Sequence, residues 1–225
     1  MKARLILCRG CLAYLGPVAD NQPHRHHAGM IVQSTGIPFR LRDAQGEQRL
    51  HRAVVPPDAI HALDSAGAAV LVLLFEPAMQ PLAPLSGLIA SAALDCPLRM
   101  LEQLPPDLSA TPPDARLERL KALARTAEGT VRLTELAGRV GLSPSRLTHL
   151  FTRSEGIPFK RWLLWDRLLR TVDRLAAGDA LTTAAHAAGF ADSAHFSRSF
   201  RAHFGLAASS VFRSRSVQVE RCRLH

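Results

Sequence analysis

The chain repeats itself, and the repeat restricts its fold more than anything else in the sequence. Ala137 and Gly141 recur as Ala185 and Gly189 at an offset of 48, and Leu147, Phe151 and Gly156 recur as Phe196, Phe200 and Gly205 at 49. The order of small residue, glycine and apolar pair is kept, which marks one supersecondary unit used twice. Each copy reads as two helices joined by a tight turn. Small Ala137 and Ala185 let the second helix cross close to the first, and Gly141 and Gly189 supply the positive φ of the turn. In the first copy Leu136, Val140, Leu142, Leu147 and Leu150 fall where a helix pair buries a shared core. Ser143 before Pro144 is an N-cap followed by a first-turn proline, so the second helix starts there. Two helix-turn-helix units therefore lie between Val131 and Arg213.

The stretch between the two copies predicts one long amphipathic helix, begun by Pro158 and stopped by Gly178. Its buried stripe is Phe159, Trp162, Leu163, Leu168, Leu169, Val172 and Leu175; Arg161, Arg167, Arg170 and Arg174 are expected in solvent or near phosphates. A helix of about 20 residues spans roughly 30 Å, and one turn of DNA is roughly 34 Å. One chain is thus long enough to set two helices into successive major grooves. Ahead of the repeat, Asp114–Ala127 reads as a helix bracing the first unit through Leu117, Leu120, Leu123 and Ala124.

Charge separates the chain into unlike halves. Residues 1–110 carry nine Lys/Arg and nine Asp/Glu; residues 111–225 carry nineteen and ten, which accounts for the whole net charge of +9. A basic half that also holds tandem helix-turn-helix units reads as a binder of double-stranded DNA, joined to a neutral half with another task. The chain's 225 residues give room for two modest domains. The apolar run Ala66–Phe75 is too short to span a bilayer. No secretory signal is evident, because the segment from Met1 to Cys8 is broken at once by Arg9-Gly10. A cytoplasmic location and no membrane partner are therefore expected, with Cys8, Cys11, Cys96 and Cys222 reduced. Cys8 and Cys11 have C-x-x-C spacing without a second pair, which favours isolated thiols over a metal or redox site.

The neutral half predicts an all-β barrel with short helices. Strands are expected at Leu5–Leu7, Ala13–Leu15, Met30–Val32, Phe39–Arg42, Leu50–Val55 and Ala68–Phe75, punctuated by Pro, Gly, Asp and Asn. Short helices are expected at Leu85–Leu94 and Cys96–Leu104. The Pro-rich stretch 105–113 is extended and semi-rigid, so it reads as the linker. The resulting domains are 1–104, a DNA-binding domain at 114–213 and a basic tail at 214–225.

Two resemblances sharpen this reading. The run Gly189-Phe190-Ala191-Asp192-Ser193-Ala194-His195-Phe196-Ser197-Arg198-Ser199-Phe200-Arg201, followed by Phe204-Gly205, resembles the signature of the AraC/XylS family of bacterial transcription regulators. In the first half, His24-Arg25-His26-His27 and Pro56-Pro57-Asp58-Ala59-Ile60-His61 resemble the two motifs of a cupin barrel, with Asp58 where the second motif has glycine. The first resemblance implies a sensor domain joined to an all-α tandem helix-turn-helix domain. It also implies a small-molecule effector, RNA polymerase as a partner, a homodimer, and activation as the commoner outcome.

Matching the family's motif residue by residue, base-edge contacts are expected from Ser145, Thr148 and His149, with Arg146 also on the outer face and Arg153 nearer a phosphate. In the second unit Ser193, Ala194, Ser197 and Arg198 are expected at the groove and Arg201 at the backbone. Arg198 is the strongest candidate, because arginine bonds guanine O6 and N7 in bidentate fashion. His24, His26 and His61 are candidate effector-pocket residues. Three imidazoles suit zinc, but metal-binding cupins add a Glu, and Met30 and Ile31 stand where it would fall. The expectation is a pocket without metal or cofactor. A metal-dependent cupin enzyme fused to a DNA-binding module is the alternative, and it would need a complete ligand set with an open position. No catalytic residue is assigned: the chain has no phosphate-cradling glycine loop, nucleophile elbow or carboxylate pair.

Overall fold

Strand formation in the first half follows apolar content. The computed structural model describes residues 3–8, 11–19, 21–75, 114–127, 132–212 and 217–221. The expected helices at 85–94 and 96–104, the linker and the 213–216 segment lie outside them. Strands β1 (Ala3–Cys8), β2 (Cys11–Pro17), β3 (Gly29–Ser34), β4 (Phe39–Asp43), β5 (Gly46–Leu50), β6 (Arg52–Val55), β7 (Ala62–Asp64) and β8 (Ala69–Phe75) come first. A last strand, β9 (Val217–Arg221), follows all the helices. They form a six-stranded sheet in the order β6-β3-β8-β2-β1-β9 and a three-stranded sheet in the order β5-β4-β7.

The most apolar strand sits inside the larger sheet. β8 (AVLVLLF) is buried along nearly its whole length and pairs antiparallel with β2 on one side and β3 on the other. A strand covered on both faces needs no polar alternation, and β8 shows none. Gly29 is required where β3 meets β8, because a Cβ there would collide with the Phe75 ring. β1 and β2 form a hairpin that sets Cys8 opposite Cys11.

The expected strand Leu50–Val55 is two strands. It breaks at exposed His51, whose Nδ1 lies 2.9 Å from the Ser34 hydroxyl, and whose carbonyl accepts from the Ser34 backbone N–H. β5 and β7 were not expected. β5 (GEQRL) has no buried position, so its sequence lacks alternation; it exists because Asp43 turns the chain by accepting from the Gln45 backbone N–H, and Gly46 takes φ +107°.

The helices are α1 (Ala115–Thr126), α2 (Leu133–Arg139), α3 (Pro144–Glu155), α4 (Phe159–Ala176), α5 (Leu181–Ala187), α6 (Ser193–Phe204) and α7 (Ala208–Phe212). Asp114 caps α1 by accepting from the Arg116 backbone N–H, and Ser143 caps α3 by accepting from that of Arg146. A core of Leu117, Leu120, Leu136, Ala137, Leu147, Phe151, Phe159 and Trp162 joins α1 through α4. The bracing helix and the Trp-containing stripe thus pack as the periodicity requires.

The chain forms two compact units, one of Met1–Leu108 together with Ser197–His225, the other of Ser109–Phe196. The sequence reading instead keeps 114–213 together and leaves 214–225 as a basic tail. Two contacts explain the difference. β9 pairs parallel with β1, from Ala3 opposite Val217 to Leu7 opposite Arg221. The Gln22 backbone N–H also donates to the Gly205 carbonyl, and the Asn21 side-chain amide donates to the Phe204 carbonyl. Within 114–213 every described element is a helix, as expected; the strand falls in the 214–225 segment, where it joins the first unit's sheet.

Candidate nucleic-acid interface

The two helix-turn-helix units are built by the same backbone bonds. Gly141 (φ +70°) and Gly189 (φ +90°) make the two turns. The Leu142 N–H donates to the Ala137 carbonyl at 3.0 Å, and 48 residues on the Phe190 N–H donates to the Ala185 carbonyl at 3.0 Å. Each second helix starts on a side-chain cap, Ser143 accepting from Arg146 N–H and Asp192 accepting from His195 N–H. Each ends on a left-handed glycine, Gly156 (φ +72°) or Gly205 (φ +66°), whose N–H donates back to Thr152 or Arg201. The repeat seen in residue types is thus a repeat of turns and caps.

The same two helices divide into buried and open faces. On α3, Leu147 and Phe151 are buried and Leu150 is half-buried, while Ser145, Arg146, Thr148, His149 and Arg153 are all exposed. On α6, Phe196 and Phe200 are buried; Ala194, Arg198 and Arg201 are exposed, and Ser193 and Ser197 are half-buried. Arg146, Arg153, Arg198 and Arg201 pair with no carboxylate among the described residues, so their charge is available to an anion. The Thr148 hydroxyl donates to the Pro144 carbonyl at 2.8 Å. That leaves its methyl group and its oxygen lone pairs outward, suited to a thymine methyl or a base amino group.

Arg167 and Arg170 of α4 depart from the expectation. Asp166, only 7 % exposed, accepts from Arg125 Nε on α1 at 2.7 Å and from Arg170 Nε at 2.8 Å. Arg170 also donates to the Ala188 carbonyl at the end of α5. Arg174 pairs with Asp179 at 2.6 Å. Arg167 lies under the second turn, where a Cβ on Gly189 would come 3.0 Å from its Nε. Burial pulls the Arg167 pKa below its ordinary value, and the neighbouring Arg170 charge adds to this. Arg167 and Arg170 thus hold the scaffold, whereas Arg174 stays exposed as expected; sequence spacing gave no sign of the Asp166 hub.

In the β unit His24, His26 and His61 come together. One potential ligand nitrogen from each ring lies within 4.8 Å of the others. His24 and His61 are joined as an isolated antiparallel bridge, with backbone N–H groups donating both ways at 3.0 Å. Burial, then the neighbouring His61, lowers the His24 pKa to about 4 and the His26 pKa to about 3; burial lowers that of His61. All three rings are therefore neutral at pH 7. Sequence analysis missed the neighbour of this cluster, the Phe204–Gly205 end of α6. A Cβ on Gly205 would come 2.5 Å from the Gln22 carbonyl and 2.7 Å from His24 Nδ1. Residues 21–22 carry no motif, so no local signal pointed to that contact.

Residues 136–214 match the profile of a helix-turn-helix domain. Among curated proteins, the chain is similar to the regulatory protein Ada of Salmonella typhimurium, 34% identical over 121 residues that cover 53% of this chain and 34% of that protein. It is also similar to the bifunctional transcriptional activator/DNA repair enzyme Ada of Escherichia coli, 32% identical over 121 residues with the same coverage. The chain thus spans about a third of the length of the curated relatives it matches, 34% of each. Among solved structures, ToxT from Vibrio cholerae shares the fold with a TM-score of 0.54 at 11% identity, covering 89% of this chain and 96% of that one. Unsaturated fatty acid bound wild-type ToxT matches with a TM-score of 0.53 at 12% identity, covering 89% and 94%. No helix among the described residues is long and apolar enough to cross a membrane.

Proposed function

We propose, on the premise that residues 136–214 of this chain are an AraC-type helix-turn-helix domain, that the protein is a sequence-specific DNA-binding regulator of transcription. The observation that carries this reading is the duplicated unit, each copy offering an exposed second helix whose arginines have no carboxylate partner among the described residues. A helix of that kind fits the major groove, where side chains read base edges. Ser145, Thr148, His149, Ser193, Ala194, Ser197 and Arg198 are the base-reading set; Arg146, Arg153 and Arg201 supply phosphate contacts, which position without specifying. The 18-residue α4 joins the two units and is long enough, at about 27 Å, for both to serve one face of the duplex.

The finer parts of the proposal concern control. A small effector binds the β unit at or beside His24, His26 and His61, and its binding is felt at the Phe204–Gly205 end of α6. The crystal form of ToxT with a bound unsaturated fatty acid supports an effector role for a fold of this kind. The protein acts as an activator in the cytoplasm, working with RNA polymerase and as a homodimer; the Escherichia coli relative's name as a transcriptional activator favours that sign.

Selection of genomic fragments by the purified protein, at controlled salt, tests the reading. The expected result is a bipartite motif of two short blocks about one helical turn, roughly 34 Å, apart. Salt-sensitive retention of DNA with no enriched motif would reduce the basic half to a non-specific polyanion binder.

A further inference from the structure

The three-histidine cluster has a property that burial alone does not explain. Each ring places Nδ1 against a backbone carbonyl two residues away: His24 on Gln22 at 3.0 Å, His26 on Ala28 at 2.8 Å, and His61 on Ala59 at 2.9 Å. A carbonyl only accepts, so Nδ1 carries the proton in all three rings. Nε2 is then an unprotonated lone pair in each. His61 Nε2 is buried and has no hydrogen-bond partner among the described residues. Three uncharged imidazoles, each with a potential ligand nitrogen within 4.8 Å of the others and one of them buried without a donor among the described residues, make a poor core and a good ligand set. Fixing the second nitrogen on a carbonyl is also how metal-binding histidines are oriented.

The spacing suits a first-row ion. Zinc–imidazole bonds of about 2.0–2.1 Å in a tetrahedral site put ligand nitrogens about 3.3 Å apart. The present spread of up to 4.8 Å closes by modest ring rotations about side chains already held at Nδ1. Two of the rings stand on either side of the His24–His61 backbone bridge, so the site is assembled by the fold rather than by one flexible loop.

We propose that His24, His26 and His61 bind a divalent first-row transition ion of the zinc class through their Nε2 atoms, and that this ion is the effector that acts on the end of the second recognition helix. Three protein ligands leave a fourth position for water. The missing carboxylate sets the coordination number and does not abolish the site. The route to the helix is short. His24 Nδ1 meets the face of Gly205 that lacks a side chain, and the adjoining Gln22 N–H holds the Gly205 carbonyl at 3.2 Å. Fixing the His24 ring on an ion fixes the 21–24 segment on which α6 ends. The effector half of this inference rests on the regulator reading above; the binding half does not.

The full chain, stripped with a chelator, is titrated with Zn²⁺ alone by calorimetry and with Co²⁺ alone by absorption. One ion per chain is expected, with the intense visible bands of four-coordinate Co²⁺ and no competition from Mg²⁺, which prefers oxygen ligands. Each of His24→Ala, His26→Ala and His61→Ala should raise the Kd about 100-fold or more, since even outer-shell losses cost about 10–100-fold. The wild-type Co²⁺ spectrum needs no variant, so a misfolded mutant leaves the test intact. Absence of stoichiometric binding, or Co²⁺ bands of an octahedral oxygen site, overturns the metal assignment.

DNA affinity is then measured with and without Zn²⁺ on a fragment from the genomic selection. A change of at least about fivefold is expected, the lower end of allosteric couplings. Asn21→Ala, which removes the side-chain amide that donates to the Phe204 carbonyl at the end of α6, should bind Zn²⁺ as the wild type does but reduce that change. Tight Zn²⁺ binding with unaltered DNA affinity overturns the effector role. A selection that enriches no motif with or without Zn²⁺ overturns the regulator reading while the calorimetry still decides the metal site.

Discussion

At the scale of single residues, Arg198 and Arg201 differ in what their loss should do. Arg198→Ala should cost about 1–3 kcal/mol on the cognate site and relax preference at one base pair. Arg201→Ala should weaken all sequences alike and lower the slope of log K against log salt by roughly 0.9. Binding titrations over single-base variants of the selected site, at several salt concentrations, separate the two. Glycines offer a second contrast. A Cβ at Gly141 would meet nothing within 4 Å, so Gly141→Ala faces only its φ of +70°, about 1–2 kcal/mol. Gly205→Ala adds a collision with the Gln22 carbonyl and the His24 ring, and that overpacking should cost about 1–3 kcal/mol more. Urea unfolding of the two variants checks the difference.

At the scale of elements, what the sequence revealed was what repeats or alternates. The Ala137/Ala185 and Gly141/Gly189 pairs foretold both turns, Ser143-Pro144 foretold the start of α3, and the apolar run foretold β8. β5 was invisible because its residues face water on both sides, and β7 because three residues carry no period. Asp166 was invisible for another reason. A carboxylate amid arginines on a helix looks like a solvated face, and only the fold reveals that α1 arrives with Arg125. Asp166→Ala should therefore be costly. Breaking a buried pair costs about 3–5 kcal/mol; because Arg125 and Arg170 keep 48% and 28% of their side-chain exposure, about 2–3 kcal/mol is expected. Chemical denaturation of the variant measures it, and a loss under 1 kcal/mol would mean that α4 is held by Trp162 and its apolar neighbours alone. The candidate DNA-facing residues were legible for the same reason that the hub was not: exposure follows helical period, whereas long-range pairing leaves no periodic trace.

At the scale of the molecule, the C-terminal strand ties late residues to early ones. β9 lies beside β1 at the edge of the larger sheet. Removing residues 214–225 should leave β1 with an open edge, the usual template for unwanted strand pairing. Amide exchange of the β1 backbone should then quicken and the truncated chain should aggregate at lower concentration. Unchanged protection of β1 would show that β2 alone secures it. The helix-turn-helix core of α1 to α4 should keep its exchange pattern, since it belongs to the other unit.

That pairing also fixes an order in time. A ribosome adds roughly 5–20 residues per second, so β1 emerges some 10–40 s before the strand that completes its sheet. Both helix-turn-helix units are made in that interval, while the larger sheet still lacks β9. A nascent chain interrupted before Val217 would thus carry both helix-turn-helix units without the strand that flanks β1. Whether the first strand gains this neighbour is thus decided only after both helical units have been made.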